Sequence, residues 1–170
     1  MKLTDYTRLV QDFPKPGVGF LDVNSLFASP AWNSVTAVMA QQHRETFRHT
    51  THIVGLESRG FVVGSAIAQR LGIPFVMMRK PGKLPGEVIS ESYELEYGTD
   101  TLQLQTGILN RISRVVVADD LFATGGTMNA AKKLVEQTGA TFLGGQVIFD
   151  LTFLHDITDY TLISQQKISA

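Results

Sequence analysis

The residues best suited to chemistry lie in one short segment in the second half of the chain. It reads Asp119-Asp120-Leu121-Phe122-Ala123-Thr124-Gly125-Gly126-Thr127. Two carboxylates can accept hydrogen bonds from neighbouring hydroxyl groups, and glycines let backbone amides wrap around a phosphate. The threonine hydroxyls and the N-terminus of a following helix would add further donors. The segment is therefore suited to binding a sugar phosphate.

Each half of this pattern also has a purely structural interpretation. A Gly-Gly turn after a strand is often only a turn, and an acidic pair at a strand end is often solvated or caps a helix. The ordered combination favours the phosphate interpretation. Two competing nucleotide motifs fit poorly: no G-x-G-x-x-G follows a strand, and residues 55–60, which have the spacing of a P-loop, are followed by Phe61 and Val62 instead of Lys and Ser or Thr.

Apolar strands and helical patterns alternate along the chain in an order that would position this segment. Strands are predicted at 53–56, 75–78, 115–118, 145–149 and 160–164, and helices from Ser29-Pro30 onward, at 61–71 and at 127–138. Such alternation indicates crossover connections. We predict one α/β domain over residues 1–170, a doubly wound, mostly parallel sheet with helices on both faces. In such a sheet ligands bind beyond the carboxyl ends of the strands, where we expect the acidic and glycine-rich segment.

Residues 79–106 interrupt the alternation. From 79 to 92 the sequence contains Pro-Gly breaks and no helical period, which predicts a long loop. Apolar residues then alternate with glutamates over 93–97 and with glutamines over 102–105. This alternation predicts a β-hairpin with one apolar and one polar face. Loop and hairpin together would form a flexible flap over a site.

The composition excludes several classes of protein. The 170 residues include 15 Lys plus Arg and 16 Asp plus Glu, a net charge of -1, which argues against a polymeric nucleic acid as partner. Without cysteine the chain has no thiolate nucleophile, redox pair or cysteine-ligated zinc site. No run of about 18 apolar residues occurs, so we expect a soluble protein without signal peptide or membrane span. His49 and His52 form a close pair that could bind a metal, but we favour surface or strand-edge positions for both.

Residues 115–127, VVVADDLFATGGT, resemble the phosphoribosyl pyrophosphate signature of the type I phosphoribosyltransferases. Four further segments agree, in order, with the adenine branch of that family: Phe13-Pro14-Lys15-Pro16-Gly17 with Phe20 and Asp22, Glu57-Ser58-Arg59-Gly60-Phe61, residues 79–85 and residues 92–98. The resemblance covers residues 13–151. It implies the type I phosphoribosyltransferase fold and transfer of ribose 5-phosphate from phosphoribosyl pyrophosphate to a purine, with pyrophosphate released and Mg2+ present. With adenine the product would be AMP, a step of purine salvage.

The resemblance also implies roles for individual residues. Ribose and its 5-phosphate would be bound by Asp119, Asp120, Ala123, Thr124, Gly125, Gly126 and Thr127. Pyrophosphate would be bound by Ser58, Arg59, Arg79, Lys80 and Lys83, and adenine by Gly19, Phe20, Leu21 and Leu151. The catalytic residues would be Glu96, as general acid or base, Arg59 and Lys83, with Tyr97 as a second flap residue. Mg2+ would be held through substrate oxygens and water, so no protein cluster of metal ligands is expected.

Some of these residues have ordinary structural alternatives, and the chain departs from the family pattern in places. Phe20 and Leu151 could belong to the core, and Glu96 could be a solvent-facing residue of the hairpin. The departures are Leu21 in place of an arginine, Phe122 in place of Leu or Ile, Asp150 in place of Glu, and residues 155–157 in place of a basic, glycine-containing turn.

The sequence favours adenine over other purines. A 6-oxo purine needs a hydrogen-bond donor opposite its oxygen, which related hypoxanthine and guanine enzymes supply with a late lysine, and residues 146–156 contain none. Two other functions remain open: another purine enzyme of the xanthine type, and a non-catalytic module that senses phosphoribosyl pyrophosphate or a nucleotide. The resemblance implies a homodimer, and the lack of cysteine fits a cytoplasmic location.

Overall fold

The computed structural model describes residues 2–13, 15–94, 98–157 and 159–169, so the predicted site residues Glu96 and Tyr97 lie outside the described residues. The strands are β1 (Arg8–Val10), β2 (Phe20–Asp22), β3 (His52–Leu56), β4 (Phe75–Met78), β5 (Val88–Glu94), β6 (Thr99–Gln105), β7 (Arg114–Phe122), β8 (Thr141–Leu151) and β9 (Thr161–Ile168). The helices are α1 (Asn24–Phe27), α2 (Ala31–Thr46), α3 (Arg59–Leu71) and α4 (Gly126–Gln137), after a short 3-10 helix at Leu3–Tyr6. Within the described ranges, no helix is long and apolar enough to cross a membrane.

Five parallel strands form the central sheet, in the order β4-β3-β7-β8-β9. β3 comes first of the five in the chain and lies between β4, which follows it in sequence, and β7, which comes third. At such a change in winding direction the loops leave the sheet to opposite sides and open a crevice at the carboxyl ends. The predicted α/β class and parallel sheet are confirmed, and the crevice lies between β3 and β7.

Helices cover both faces of this sheet because successive side chains of a strand point to opposite faces. In β7, Val115 and Val117 pack in one core cluster with residues of α4. Val116 and Ala118 belong to a second cluster with residues of α2 and α3. All four side chains are fully buried, which explains why this strand is apolar without alternation.

β7 is longer than the sequence predicts. Its pairing with β3 ends where Gly55 meets Ala118, but its pairing with β8 continues to Phe122 opposite Asp150. Asp119 and Asp120, predicted to follow the strand, therefore lie within it. The backbone of β8 keeps them extended despite the low strand propensity of aspartate, and the ending of β3 leaves the crevice beside them.

The hairpin formed by β5 and β6 also differs from its prediction. Its first strand begins at Val88, inside the segment predicted as loop, and pairs in register through Glu94 opposite Thr99. Leu102 and Leu104 are fully buried in the core cluster of α4. The described part of the hairpin is thus packed on one face of the sheet. A further antiparallel pair, β1 with β2, was not predicted, because its short strands carry few apolar residues on a buried face.

Candidate active site

A cavity of about 150 Å³ lies at the carboxyl end of β7, where the chain turns into α4. Its lining residues are Leu56, Asp119, Leu121, Phe122, Ala123, Thr124, Gly125, Gly126, Thr127 and Met128. Every residue predicted to bind ribose 5-phosphate is among them, except Asp120. We call residues 122–127 the phosphate loop.

The phosphate loop is shaped by Gly125, which has φ +86°. A Cβ at this position would overlap Ile157 and lie 3.0 Å from the Phe122 ring, so both conformation and space require glycine. α4 begins at the next residue; its N-cap, Gly125, has no side chain that could cap the helix, and the first turn contains no acidic residue. Its first amide groups and the positive end of the helix dipole are therefore available to an anion.

Asp119 and Asp120 are neighbours in β7 with different surroundings. Burial raises the pKa of Asp119 well above its ordinary value, and the charge of Asp120 raises it further. Asp120 is only 3% exposed, and burial raises its pKa too, although the charge of Arg59 opposes this. The Oδ2 atom of Asp120 has no hydrogen-bond donor among the described residues, even though Nε of Arg59 lies 3.1 Å away, because the N–H is not aimed at it. This oxygen is buried, so a ligand could reach it only if the Asp120 side chain turned towards the cavity.

Arg59 joins two predicted parts of the site. It is the first residue of α3, whose close approach to β7 depends on Gly60: a Cβ there would lie 2.7 Å from the carbonyl oxygen of Ala118. The Arg59 guanidinium lies over the Phe20 ring, with its central carbon 4.6 Å from the ring centre, and Nη1 donates to the Leu21 carbonyl at 3.3 Å. Arg59 therefore contacts predicted adenine residues as well as Asp120, and its charge is balanced by that carboxylate.

Glu57 organises a second cationic group at the end of β3. Its carboxylate accepts hydrogen bonds from Nε of Arg79 at 3.2 Å, from Nη2 of Arg79 at 3.4 Å and from the Lys80 amide at 2.7 Å. Burial raises the pKa of Glu57, but these hydrogen bonds and the charges of Arg79 and Lys83 outweigh it and lower the pKa. The Glu57–Ser58 peptide is cis, and Ser58 is exposed before α3.

Lys80 is bound by the hairpin. Its Nζ forms an ion pair with Asp100 of β6 and donates to the Tyr93 hydroxyl of β5 at 3.0 Å. Burial lowers the pKa of Lys80, but these two partners outweigh burial and raise it. Lys83 differs, since it is exposed and forms no ion pair with any residue that the structure describes. Of the four predicted pyrophosphate cations, the other three are each paired with a carboxylate.

The residues predicted to bind adenine lie around a larger cavity of about 690 Å³. Gly19 and Leu151 line it, together with Lys15, Pro16, Gly17, Val18, Phe153 and Leu154. Phe20 and Leu21 are half-buried and do not line it; the Phe20 ring packs between Arg59 and the edge of Phe13, whose ring centre is 5.0 Å away. The structure therefore brings all four residues into one region but directs Phe20 towards Arg59.

Another large cavity lies away from this site. This cavity, of about 580 Å³ between α2 and α3, is lined by none of the predicted site residues. Arg70 in its wall already donates hydrogen bonds to the Thr36 hydroxyl at 2.8 Å and to the Asn33 carbonyl at 2.9 Å. No group of three or more potential metal ligands occurs in the described part of the chain. His49 and His52 are therefore not part of such a group.

Sequence reasoning missed three residues of the site. Glu57 belongs to a segment that matches the family, but no role was predicted for it. An acidic residue so near the predicted cations could have indicated an ion pair. Tyr93 lay in a matching segment and Asp100 did not, but no local pattern indicated that either would pair with Lys80, because that pairing depends on the position of the hairpin.

Comparison with known proteins agrees with this geometry. Residues 22–152 match a family model described as phosphoribosyl transferase domain. The chain is 47% identical over 155 residues to an adenine phosphoribosyltransferase of Rhodospirillum rubrum, covering 91% of this chain and 90% of that protein. It is 47% identical over 154 residues to one from Synechococcus sp. (strain JA-3-3Ab), covering 91% and 88%.

Solved structures give the same result. The crystal structure of adenine phosphoribosyltransferase from Thermoanaerobacter pseudethanolicus has a TM-score of 0.86 and 37% identity, covering 98% of each chain. That of the Saccharomyces cerevisiae enzyme, in complex with an imino-altritol bisphosphate and adenine, has a TM-score of 0.88 and 34% identity, covering 96% of each chain.

Proposed function

The chain belongs to the phosphoribosyltransferase family, and from this membership we propose that it transfers ribose 5-phosphate from phosphoribosyl pyrophosphate to adenine, releasing AMP and pyrophosphate. The observation that carries the proposal is the position of Arg59. One guanidinium contacts Phe20, which we assign to the base, and Asp120, which we assign to the ribose. A purine nitrogen and the anomeric carbon that it attacks must lie next to each other, so the residues that bind the base and the ribose must also be neighbours.

We assign the ribose 5-phosphate end of the substrate to the small cavity. We assign the 5-phosphate to the amides of the phosphate loop and the first turn of α4, with the hydroxyls of Thr124 and Thr127 as further donors. We assign the ribose hydroxyls to Asp119, which lines the cavity, and to Asp120, whose carboxylate would have to turn towards the cavity to reach them. Hydrogen bonds from hydroxyls to a carboxylate are stronger than neutral ones, so these contacts orient the sugar as well as bind it.

The reaction forms a bond between a purine nitrogen and the anomeric carbon and breaks the bond from that carbon to the pyrophosphate oxygen. The electron pair leaves with pyrophosphate, so negative charge grows there in the transition state. Cations held in place near this charge stabilise the transition state more than the ground state. We assign this role to Arg59, Arg79, Lys80 and Lys83, with Ser58 as a donor. Lys83 is exposed and, among the described residues, unpaired, whereas pyrophosphate would have to share the other three with their carboxylates.

Adenine loses a proton as it is bonded to the sugar. We assign the proton transfer to Glu96 and the closing of the site to the hairpin with Tyr97, because a closed hairpin would exclude water, which could attack the same carbon. Adenine would enter the larger cavity beside Gly19 and Leu151, and stacking on Phe20, next to Leu21, would require the Phe20 ring to turn from Arg59 towards this cavity. Stacking on an aromatic ring suits any purine, so selection against a 6-oxo group would come from the polar groups around the base.

Mg2+ would enter with phosphoribosyl pyrophosphate. Mg2+ prefers hard oxygen ligands, so it would be held by pyrophosphate oxygens and water, and when bound it would neutralise charge on the leaving group. We also propose a homodimer, by analogy with the family, and a cytoplasmic location, because phosphorylated substrates of this charge are retained inside cells.

A four-base assay tests the function. Purified protein with phosphoribosyl pyrophosphate is given adenine, xanthine, hypoxanthine or guanine, with and without Mg2+, and pyrophosphate release is measured. We expect release with adenine and Mg2+ only. Faster release with xanthine would show a xanthine-type enzyme, and no release with any base would favour the sensing module.

A further inference from the structure

A buried polar pair lies behind the phosphate loop. Asp150, 4% exposed, is the β8 residue opposite Phe122 of β7. Its Oδ1 lies 2.7 Å from Nε2 of His155, a residue of the connection between β8 and β9. The His155 side chain is only 10% exposed. Both members of the pair are thus nearly removed from water, where an unpartnered polar group would be costly.

The hydrogen bonds of His155 define its tautomer. Nδ1 accepts from the backbone amide of Ile157 at 3.3 Å, so Nδ1 carries no proton. Nε2 must then carry the proton and donate it to the Asp150 carboxylate. Both ring nitrogens are occupied, and the ring can satisfy both partners in only one orientation.

This ring is in contact with the phosphate loop through two side chains. It packs edge to face on Phe122, with ring centres 4.6 Å apart and planes at 81°. Ile157, whose amide donates the hydrogen bond to His155, lies so close to Gly125 that a Cβ on Gly125 would overlap it. Phe122 and Gly125 are both residues of the phosphate loop. The conformation of this loop therefore rests on a segment whose own position depends on His155.

We propose that His155 is a positioning residue for the phosphate loop: its hydrogen bonds to Asp150 and to the Ile157 amide hold residues 155–157 against Phe122 and Gly125. The loop amides then keep the geometry that a 5-phosphate needs. This inference rests on the proposed function, because it concerns the part of the site that we assign to ribose 5-phosphate.

Three variants separate this role from simple packing. His155→Phe keeps an aromatic ring against Phe122 but removes both hydrogen bonds. His155→Gln keeps a side-chain N–H that can reach Asp150 but loses the acceptor for the Ile157 amide. Asp156→Asn changes an exposed neighbour in the same segment and serves as the control.

For each variant we would measure steady-state kinetics with both substrates and the Kd of ribose 5-phosphate by calorimetry. With His155→Phe we expect the KM of phosphoribosyl pyrophosphate and the Kd of ribose 5-phosphate to rise about tenfold, since a charge-assisted hydrogen bond is lost. The kcat and the KM of adenine should change less than about twofold, because the contacts to the base stay in place. His155→Gln should be intermediate, with a rise of about threefold, and Asp156→Asn should match the wild type.

Wild-type constants in His155→Phe would overturn the proposal. So would a lower kcat with unchanged KM and Kd, which would mean fewer folded molecules and a merely structural role. If His155→Phe does not fold, His155→Gln decides in the same way. Since ribose 5-phosphate binding needs neither a purine nor turnover, a wild-type protein that binds it but releases no pyrophosphate would refute the proposed function alone. A wild-type protein that releases pyrophosphate with adenine but does not bind ribose 5-phosphate would refute the inference about the phosphate loop alone.

Discussion

Arg59 covers one face of the Phe20 ring, with its guanidinium carbon 4.6 Å from the ring centre. The same side chain has Nε 3.1 Å from the Asp120 carboxylate. The residues that we assign to the base and to the ribose are thus linked by one cation in the described structure. Substitution of either partner should change both a substrate contact and the surroundings of Arg59.

Phe20 is the residue whose replacement should weaken adenine binding most. Stacking on an aromatic ring is worth about 1 to 3 kcal/mol per base, so Phe20→Leu should raise the KM of adenine roughly tenfold or more. The KM of phosphoribosyl pyrophosphate should change less than about threefold. Phe20→Tyr, which keeps the ring, is the matched control. Steady-state kinetics with each substrate varied would check this, and an equal rise in both KM values would contradict it.

The two aspartates of β7 should govern the use of phosphoribosyl pyrophosphate. Replacing either by asparagine removes a charged acceptor for the ribose hydroxyls, so kcat/KM for this substrate should fall about tenfold to a hundredfold. Asp156→Asn again provides a control with the same change of charge at an exposed position. Kinetics of Asp119→Asn and Asp120→Asn indistinguishable from wild type would refute the assigned role.

Asp119 should also reduce the stability of the fold at neutral pH. Its pKa is raised by burial and by the Asp120 charge. A carboxyl with a raised pKa contributes stability that is fully present below its unfolded value, about 3.9, and is lost as the pH rises through the folded value. We therefore expect Asp119→Asn to increase the free energy of unfolding at pH 7, and the gain to disappear near pH 4.

Urea unfolding of wild type and Asp119→Asn across this pH range would measure the difference. A variant less stable than wild type at pH 7 would show that the carboxylate stabilises the fold. Combined with the kinetic prediction, the expected result is a more stable but less active protein, a common consequence of removing a buried functional carboxylate that destabilises the fold.

Substitution of Gly125 should destabilise the protein for two reasons, its positive φ and the lack of space for a Cβ, and a control variant can separate them. Alanine at a residue with positive φ costs about 1 to 2 kcal/mol. Gly72, at the end of α3 with φ +69°, has nothing within 4 Å of an added Cβ, so Gly72→Ala should show only this cost and unchanged kinetics.

Gly125→Ala should lose more stability than Gly72→Ala, because its Cβ would also overlap Ile157 and approach Phe122. The displaced loop should also raise the KM of phosphoribosyl pyrophosphate. Thermal or urea unfolding, together with kinetics, compares the two variants. Equal losses of stability in both would contradict the role of Ile157 behind the loop.

Local sequence signals predicted the central sheet well. Apolar runs at 53–56, 75–78 and 115–118 and the helix from 61 to 71 all correspond to elements of the structure. These signals work because a buried strand and an amphipathic helix are each defined by residues close together in the chain. The boundaries were less accurate: β7 reaches Phe122 because β8 pairs with it, and β5 begins at Val88 because Ile89 and Tyr93 pack on the core.

The positions at which the chain departs from its family show the limit of sequence reasoning. Phe122, Asp150 and residues 155–157 were three separate anomalies in the sequence. In the structure Asp150 is bonded to His155, and His155 packs on Phe122. Nothing in the local pattern predicts these contacts, because they join neighbouring strands and the connection after β8.

By itself, the sequence determined the class of fold, the family and the segment that we assign to the sugar phosphate, because strand and helix periodicity and an ordered motif are properties of adjacent residues. Only the tertiary structure decided the partners of the charged groups: Arg59 with Asp120, Arg79 with Glu57 and Lys80 with Asp100. From the sequence alone, these cations could only be treated as unpaired charges. Their pairing depends on which strand ends and hairpin faces meet, and this is set by the order of the strands in the sheet and by the packing of the hairpin against it.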